Sequence, residues 1–483
     1  MDNSGGCGMM RDRHASFRSM NLKTAGFSFA VALYSATAGA AGPPPPPSQD
    51  HPVLAEIAAA VSAEQLRGTV QALVGFGTRH TLSDPRSETR GIGAARRWVQ
   101  ARFAAISKDC GGCLSIVTPG QIVTGKRIPE PAEVVDVVAI QQGSTEPERV
   151  IVLTAHIDSR VSDVMNASAD APGADDNGSG TALVLETARL LSRYKFPATI
   201  VYGILSGEEQ GLYGGKLLAQ YAHDHNWRVE ADLNDDIVGG VRGQNGVVDN
   251  TRIRLFSEGT REAETERQAK QRRYQGGELD GPSRNVARAI QALAERVIPN
   301  WRVDLVYRVD RFDRGSDHEA FNAMGYPAVC FRESAEDYRH QHQDLRSENG
   351  VDYGDTIDHV DFDYLARVTA TNAIAAAALA WAPPPPDGLK VAGGVTPDTA
   401  LTWQPLSGAA AKNLAGYRVY WRDTAAPAWT HSRWFGSAAE AKLEGVVIDD
   451  WAFGVASVSK DGYESPVEFP GPVGAFWPEA EEK

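Results

Sequence analysis

Apolar and polar positions alternate between short β-branched runs and stretches of helical period, with polar clusters at the joins. Val150-Ile151-Val152-Leu153-Thr154-Ala155 is uncharged and β-branched, the composition of a strand buried on both faces. It delivers His156-Ile157-Asp158-Ser159 at its carboxyl end. Gly173 to Gly180 is polar and glycine-rich, and residues 181–194 then space Leu183, Leu185, Ala188, Leu190 and Leu191 for a core-facing helix. A second apolar strand, residues 199–205, runs into Ser206-Gly207-Glu208-Glu209-Gln210. Each polar cluster therefore falls at the carboxyl end of a strand or ahead of a helix, where the crevice of an open α/β sheet lies.

The same periodicities fill in the rest. Helices are expected at residues 53–61, from a Ser62 cap with Gln65 completing a capping box, and at 91–106, 217–225, 286–297 and 364–382. Strands are expected at 115–117, 134–140, 303–307 and 328–331, with another ending in Asn234-Asp235-Asp236-Ile237-Val238-Gly239. Residues 262–280 are charged and glutamine-rich, the pattern of a solvated loop or a frayed helix start. Residues 51–382 thus read as an α/β domain, a central sheet flanked by helices. A proline linker, 383–387, stops the last helix. Beyond it, short strands at 389–391, 401–403, 417–421, 446–448 and 453–458 predict an all-β sandwich over 388–475, with 476–483 as a tail. Trp403, Gly416-Tyr417-Arg418-Val419-Tyr420-Trp421 and Gly462-Tyr463-Glu464-Ser465 make this module similar to fibronectin type III. Its stretch from Trp429 to Trp434 reads equally as a contact patch for a polymer or surface and as sandwich core.

Composition narrows the function. The 483 residues are 42% hydrophobic and 23% charged, ordinary for a globular protein, and a net charge of -14 leaves no basic surplus for a general nucleic-acid binder. Arg11, Arg13, Arg18 and Lys23 precede an apolar run from Ala25 to Leu33, and Ala36-Thr37-Ala38 or Ala38-Gly39-Ala40 offers a cleavage site. Residues 1–42 are therefore expected to be a secretory leader, with Met10 or Met20 as candidate starts, and 43–50 a stiff proline-rich tether. No other stretch approaches the roughly 20 apolar residues that span a bilayer. The expected compartment is periplasmic or extracellular. There Cys110-Gly111-Gly112-Cys113 forms a local disulfide, and Cys330, in an apolar run, is a buried thiol.

His156, Asp175, Glu209 and Asp236 follow successive elements. Imidazole and carboxylates converging from strand ends are the donors of a borderline divalent metal with one position open for water or substrate. Ser206 lacks the Gly-x-Ser-x-Gly elbow of a serine hydrolase. Asp175-Asp176-Asn177-Gly178 puts glycine at the fourth position, not the sixth of a calcium loop.

Thr154-Ala155-His156-Ile157-Asp158-Ser159, Gly173-Ala174-Asp175-Asp176-Asn177-Gly178-Ser179-Gly180, Gly207-Glu208-Glu209-Gln210-Gly211-Leu212-Tyr213-Gly214 and Asn234-Asp235-Asp236-Ile237-Val238-Gly239 together resemble, in order, the dizinc aminopeptidase family of metallopeptidase clan MH. The resemblance implies a mixed sheet and two Zn2+ ions, with manganese or cobalt as possible substitutes. It makes His156 a terminal ligand, Asp175 the bridging carboxylate, and Glu209 and Asp236 terminal ligands of one metal each. Asp158 is expected to hold the other ring nitrogen of His156, and Glu208 to act as general base. The family's closing Tyr-His-Thr is replaced by Tyr338-Arg339-His340-Gln341-His342-Gln343-Asp344, with Asp355-Thr356 later. His342 is favoured as the fifth ligand because Gln343-Asp344 follows it, and His340 is the alternative. Tyr338 is expected to donate to the oxyanion, and Ser316-Asp317-His318 to support the site. The implied activity is that of an exported exopeptidase acting on peptides with a free N-terminus. A carboxypeptidase, a single-zinc glutaminyl cyclase and a degenerate peptidase fold that binds without catalysis are the alternatives. The full ligand set counts against the cyclase, and intact Glu208 against the binding protein.

Overall fold

Strands that carry Val, Ile and Leu on both faces need helices on both sides, and the chain builds that three-layer arrangement. The computed structural model describes residues 43–470; the expected leader and tail lie outside them. Eight strands form the central sheet: β1 Leu114–Val117, β2 Val137–Gln141, β3 Glu146–His156, β4 Ala198–Leu205, β5 Arg228–Asp235, β6 Arg252–Ser257, β7 Arg302–Val306 and β8 Ala328–Arg332. Their order is β1-β2-β4-β3-β5-β8-β6-β7. The middle strands β4, β3, β5 and β8 run parallel, β1, β2 and β6 pair antiparallel to their inner neighbours, and β6 and β7 are parallel to each other, so the sheet is mixed as expected.

Side-chain alternation along β3 fixes the two cores. Ile151, Leu153 and Ala155 face the layer formed by α1 (Pro52–Ala59), α2 (Ala63–Val74), α3 (Gly91–Asp109), α4 (Gly178–Leu191), α7 (Pro282–Val297) and α9 (Phe362–Trp381). Val150 and Val152 face α5 (Tyr213–Asp224) and α8 (His318–Ala323) through Leu218, Ala219 and Phe321. Each such side chain, taken out of water, contributes roughly 1.5–3 kcal/mol, so a one-residue slip of β3 would exchange its two cores at a cost no local preference could offset. Ser62 caps α2 as expected, its Oγ accepting from Gln65 N at 3.2 Å.

At four places the structure adds to or departs from the sequence reading. Residues 134–140 are two strands: 128–135 pairs with 120–125 in a hairpin, and β2 begins after Asp136, whose buried carboxylate accepts from Ser206 N at 3.0 Å. The charged stretch 262–280 contains α6 (Glu266–Gln275), started by a Thr265–Gln268 capping box. β6 was not anticipated, because Arg252 and Arg254 interrupt its apolar pattern; they find Asp304 and Glu336 while Ile253 and Leu255 are buried. Residues 446–448 form no strand, and a 3-10 turn follows at Ile448–Asp450.

The C-terminal residues form two three-stranded antiparallel sheets. One contains Lys390–Ala392, Thr399–Thr402 and Glu440–Leu443; the other contains His431–Gly436, Leu414–Asp423 and Trp451–Ser459. Leu401, Trp403, Tyr417, Val419, Leu443 and Val455 pack between them. Buried Asp280 lies between Arg288 (2.8 Å) and Arg422 (2.7 Å), both set over the ring of Trp429, and this clamp joins the sheets to the α/β body. Trp434 donates to Pro44 O at 2.7 Å, so the proline tether runs along the sheets. The stretch 429–434 is therefore neither pure core nor free patch. Cys110 and Cys113 form a disulfide, and Cys330 is buried. No helix among the described residues is long and apolar enough to cross a membrane.

Candidate metal centre

The ends of β3, β4 and β5 and the start of α4 converge on one crevice, where charged groups excluded from the apolar strands collect. His156 ends β3, Asp236 follows β5, and Glu208 and Glu209 occupy the turn between β4 and α5. Asp176 precedes Asn177, whose side chain caps α4 by accepting from Gly180 N at 2.9 Å.

His156 Nε2 lies 3.3 Å from Asp176 Oδ1 and 3.5 Å from Asp236 Oδ1. On the other side of the same carboxylate, His342 Nε2 lies 2.8 Å from Asp176 Oδ2 and 3.1 Å from Glu209 Oε1. Two three-donor groups, His156/Asp176/Asp236 and Asp176/Glu209/His342, thus share Asp176.

The shared carboxylate is Asp176, not Asp175 as the motif suggested. Asp355 accepts the N–H of both residues, at 2.8 and 2.7 Å, and fixes the loop from which the two side chains diverge. Asp175 stands outside both donor groups: its Oδ1 accepts from Gly239 N at 2.8 Å, and its carboxyl is paired with that of Glu333. Glu333 in turn accepts from Gly240 N at 2.5 Å.

Asp158 also acts differently from expectation. His156 Nδ1 donates to the Asp158 main-chain carbonyl at 3.0 Å, while the nearer carboxylate oxygen is 3.7 Å away. That carboxylate instead holds the glutamate turn, accepting from Gly207 N (2.9 Å), Glu208 N (3.3 Å), Glu209 N (3.1 Å) and Thr81 Oγ1 (2.9 Å).

Of the two candidate histidines, His342 reaches the cluster from a left-handed backbone position at φ 53°. His340 stacks on His359 with ring centroids 3.3 Å apart and stays outside both groups. Tyr338 is 56% exposed, and its hydroxyl makes no hydrogen bond among the described residues, so the expected oxyanion donor does not join the cluster. Ser316 supports the site by donating to Asp236 Oδ2 at 2.7 Å, an oxygen shared with Arg332 Nη1 at 2.5 Å. Arg160, absent from the sequence reading, lies against Glu209 Oε2 (Nε, 3.1 Å) and donates to His342 Nδ1 (Nη2, 2.7 Å). No motif spacing marks Arg160 or Arg332; only the folded chain brings them here.

Charge organises the centre. Burial would lower the His156 ring, but Glu208, Asp158, Asp176 and Asp236 outweigh it and hold the ring well above its ordinary value. Burial would likewise lower His342, yet Glu209 and Asp176 raise its affinity for a proton. Burial raises Asp176 and Asp236; the histidines in the first case, and Arg332 with His156 in the second, pull both below the usual carboxylate range. Glu208 is pushed well up, first by burial and then by Glu209, Asp236 and Asp317. The site thus demands positive charge at two places, one on each side of Asp176.

The donor set suits a metal. His156 Nε2, Asp236 Oδ1 and Glu209 Oε1 are buried without hydrogen-bond partners, a costly state unless a cation uses their lone pairs. Tetrahedral zinc donors at about 2.0–2.1 Å from the ion stand about 3.3 Å from one another, close to the spacing around His156 Nε2.

Comparison with known proteins agrees. Residues 136–373 match Peptidase family M28. A probable zinc metalloprotease of Pyricularia oryzae is 42% identical over 417 residues, covering 85% of this chain and 83% of that protein. One from Pyrenophora tritici-repentis is 41% identical over 415 residues, covering 85% of each. The crystal structure of Legionella LapA shares the fold, with a TM-score of 0.50 and 18% identity over 70% of this chain and 78% of that one. With donors converging as the motifs require, and relatives of this identity aligned over most of their length, the chain belongs to peptidase family M28.

Proposed function

We propose that the protein is an exported exopeptidase that uses two zinc ions to remove N-terminal residues from peptides. The observation that carries this is the position of Glu208, outside both donor groups yet close enough to raise His156 electrostatically. His156 and Asp236 would hold one ion, Glu209 and His342 the other, and Asp176 both. Bound zinc would polarise the scissile carbonyl and bring the pKa of water toward neutrality. Glu208 would take a proton from the attacking water and pass it to the leaving amine. Its raised affinity for that proton, from burial first, suits both halves of the transfer. Asp158 anchors the turn that carries Glu208 and Glu209, its Oδ1 accepting from Glu208 N and its Oδ2 from Glu209 N.

A cavity of about 580 Å³ beside Asp176, lined in part by Ile237, Val241, Val351 and Val360, has room for the end of a peptide substrate. Asp352 and Asp358 also line it and have no ion-pair partner among the described residues, which favours a cationic amino terminus. The basic-then-apolar leader and the Cys110–Cys113 disulfide support export. The exposed His431 ring stacked on Trp421 supports polymer or surface contact by the C-terminal sheets.

Metal analysis paired with N-terminally free and blocked peptides tests the reading. Two zinc per chain with cleavage of free peptides is expected, and Glu208→Gln should keep the metal while turnover falls about 100- to 10,000-fold. Cleavage of blocked peptides alone, or wild-type turnover by Glu208→Gln, refutes it.

A further inference from the structure

The two donor groups differ in how their histidines are prepared. His156 Nδ1 donates to the Asp158 carbonyl at 3.0 Å, so its hydrogen is committed there and the Nε2 lone pair points, unpartnered, into the cluster. His342 has the opposite arrangement. Arg160 Nη2 donates to its Nδ1 at 2.7 Å, which uses that lone pair, so while Arg160 holds this contact Nδ1 carries no hydrogen and Nε2, 2.8 Å from Asp176 Oδ2, is the one ring nitrogen left for it. The spacing differs too: donors around His156 Nε2 stand at 3.3 and 3.5 Å, those around His342 Nε2 at 2.8 and 3.1 Å.

The cations beside the two groups differ as well. Arg332 sits on Asp236, but Asp310 at 2.7 Å also neutralises it, and it occupies only Oδ2, leaving Oδ1 toward His156. Arg160 pairs with no carboxylate but Glu209 among the described residues. A divalent ion at the second position would therefore face an uncompensated guanidinium. A His342 ring that gives Nε2 to a metal carries its hydrogen on Nδ1 and has no lone pair left for Arg160. Contact with Arg160 and metal on His342 exclude each other. With its side chain 16% exposed, Arg160 has solvent to swing into.

We propose that Arg160 is a built-in competitor of the second metal ion: it occupies Glu209 and His342 until an ion displaces it, so the His156/Asp176/Asp236 position fills first and the Asp176/Glu209/His342 position binds more weakly. This rests on the two-ion reading above, and the test separates the two.

Chelator-treated full-length protein is titrated with Zn2+ by calorimetry and by equilibrium dialysis with metal analysis. Histidine ring 15N spectra follow the tautomers. Wild type should bind two ions in separate steps, with the His342 hydrogen moving from Nε2 to Nδ1 only in the second. Arg160→Met should leave the first step unchanged and tighten the second by about 10-fold or more, the effect of removing one like charge worth about 1.4 kcal/mol. Arg160→Lys, which keeps the charge without the two-pronged contact, should fall between and guards against a folding defect in the methionine variant. Two equal steps in wild type, or a second step unchanged or weakened in both variants, overturns the Arg160 proposal and leaves two-ion binding intact. One ion bound in wild type and variants alike refutes the two-ion reading and the Arg160 proposal with it.

Discussion

Asp158→Asn tests whether one buried carboxylate holds the catalytic turn. The amide oxygen can keep the N–H groups of Gly207 and Glu208, which bond Oδ1, but the amide nitrogen then takes the place of Oδ2 and points a hydrogen at Glu209 N. Thr81 can rotate to accept. The Glu209 N–H cannot, and an unsatisfied buried donor costs about 1–3 kcal/mol. The two retained bonds lose their charge assistance, about 1 kcal/mol each. The expected loss is therefore about 3–5 kcal/mol, read as a lower urea midpoint for metal-stripped variant against metal-stripped wild type at pH 7. Burial raises the Asp158 carboxyl, but His156, Thr81 and the turn N–H groups outweigh it and the carboxyl lies below its ordinary value. A depressed carboxylate stabilises the fold above the unfolded pKa of about 3.9, so the difference between the proteins should shrink as pH falls through that value and below. Because Glu208 and Glu209 shift with the turn, turnover should drop about 100-fold even at saturating zinc. A midpoint change worth less than about 1 kcal/mol, with turnover kept, would show that other contacts hold the turn.

Three further outcomes follow from the same geometry. Asp176→Ala should abolish binding of both metal ions, whereas Asp175→Asn should retain both, as measured by metal content after dialysis; the reverse result would restore Asp175 as the bridge. Asp280→Ala leaves Arg288 and Arg422 buried without their shared partner and should cost about 3–5 kcal/mol in chemical denaturation. An unchanged midpoint would mean that the clamp does not join the C-terminal sheets to the body. Burial, ahead of the nearby Asp158 and Asp236 charges, raises Asp317 to about 7 from the ordinary 3.8, so metal-stripped protein should lose stability as pH rises from about 4 to about 7. Asp317→Asn should flatten melting temperature across that window, and a profile identical to wild type would refute the assignment.

Periodicity and strand-end chemistry carried much of this molecule. An uncharged run such as residues 150–155 has one stable place, inside a sheet covered on both faces, and it carries His156 to the crevice with it. The same logic brought Glu208, Glu209 and Asp236 to neighbouring strand ends; His342 came instead from the resemblance to the dizinc aminopeptidases, with Gln343-Asp344 as the landmark. It failed where charge masked burial, as at Arg252 and Arg254 in β6, and where one residue breaks a run, as Asp136 does between the hairpin and β2.

What the sequence determined by itself was which residue types arrive at the crevice and from which elements, because burial of apolar strands and helices leaves little choice of topology. What only the tertiary structure decided was direction. Asp175 and Asp176 are adjacent and chemically identical, and the Asp355 carboxylate, 180 positions from Asp175, holds the loop in which Asp176 and not Asp175 joins the donor groups. His156 and His342 carry the same ring, and a carbonyl behind one and a guanidinium behind the other set which nitrogen keeps the hydrogen. Such choices rest on hydrogen bonds between distant parts of the chain, for which local composition and periodicity hold no signal.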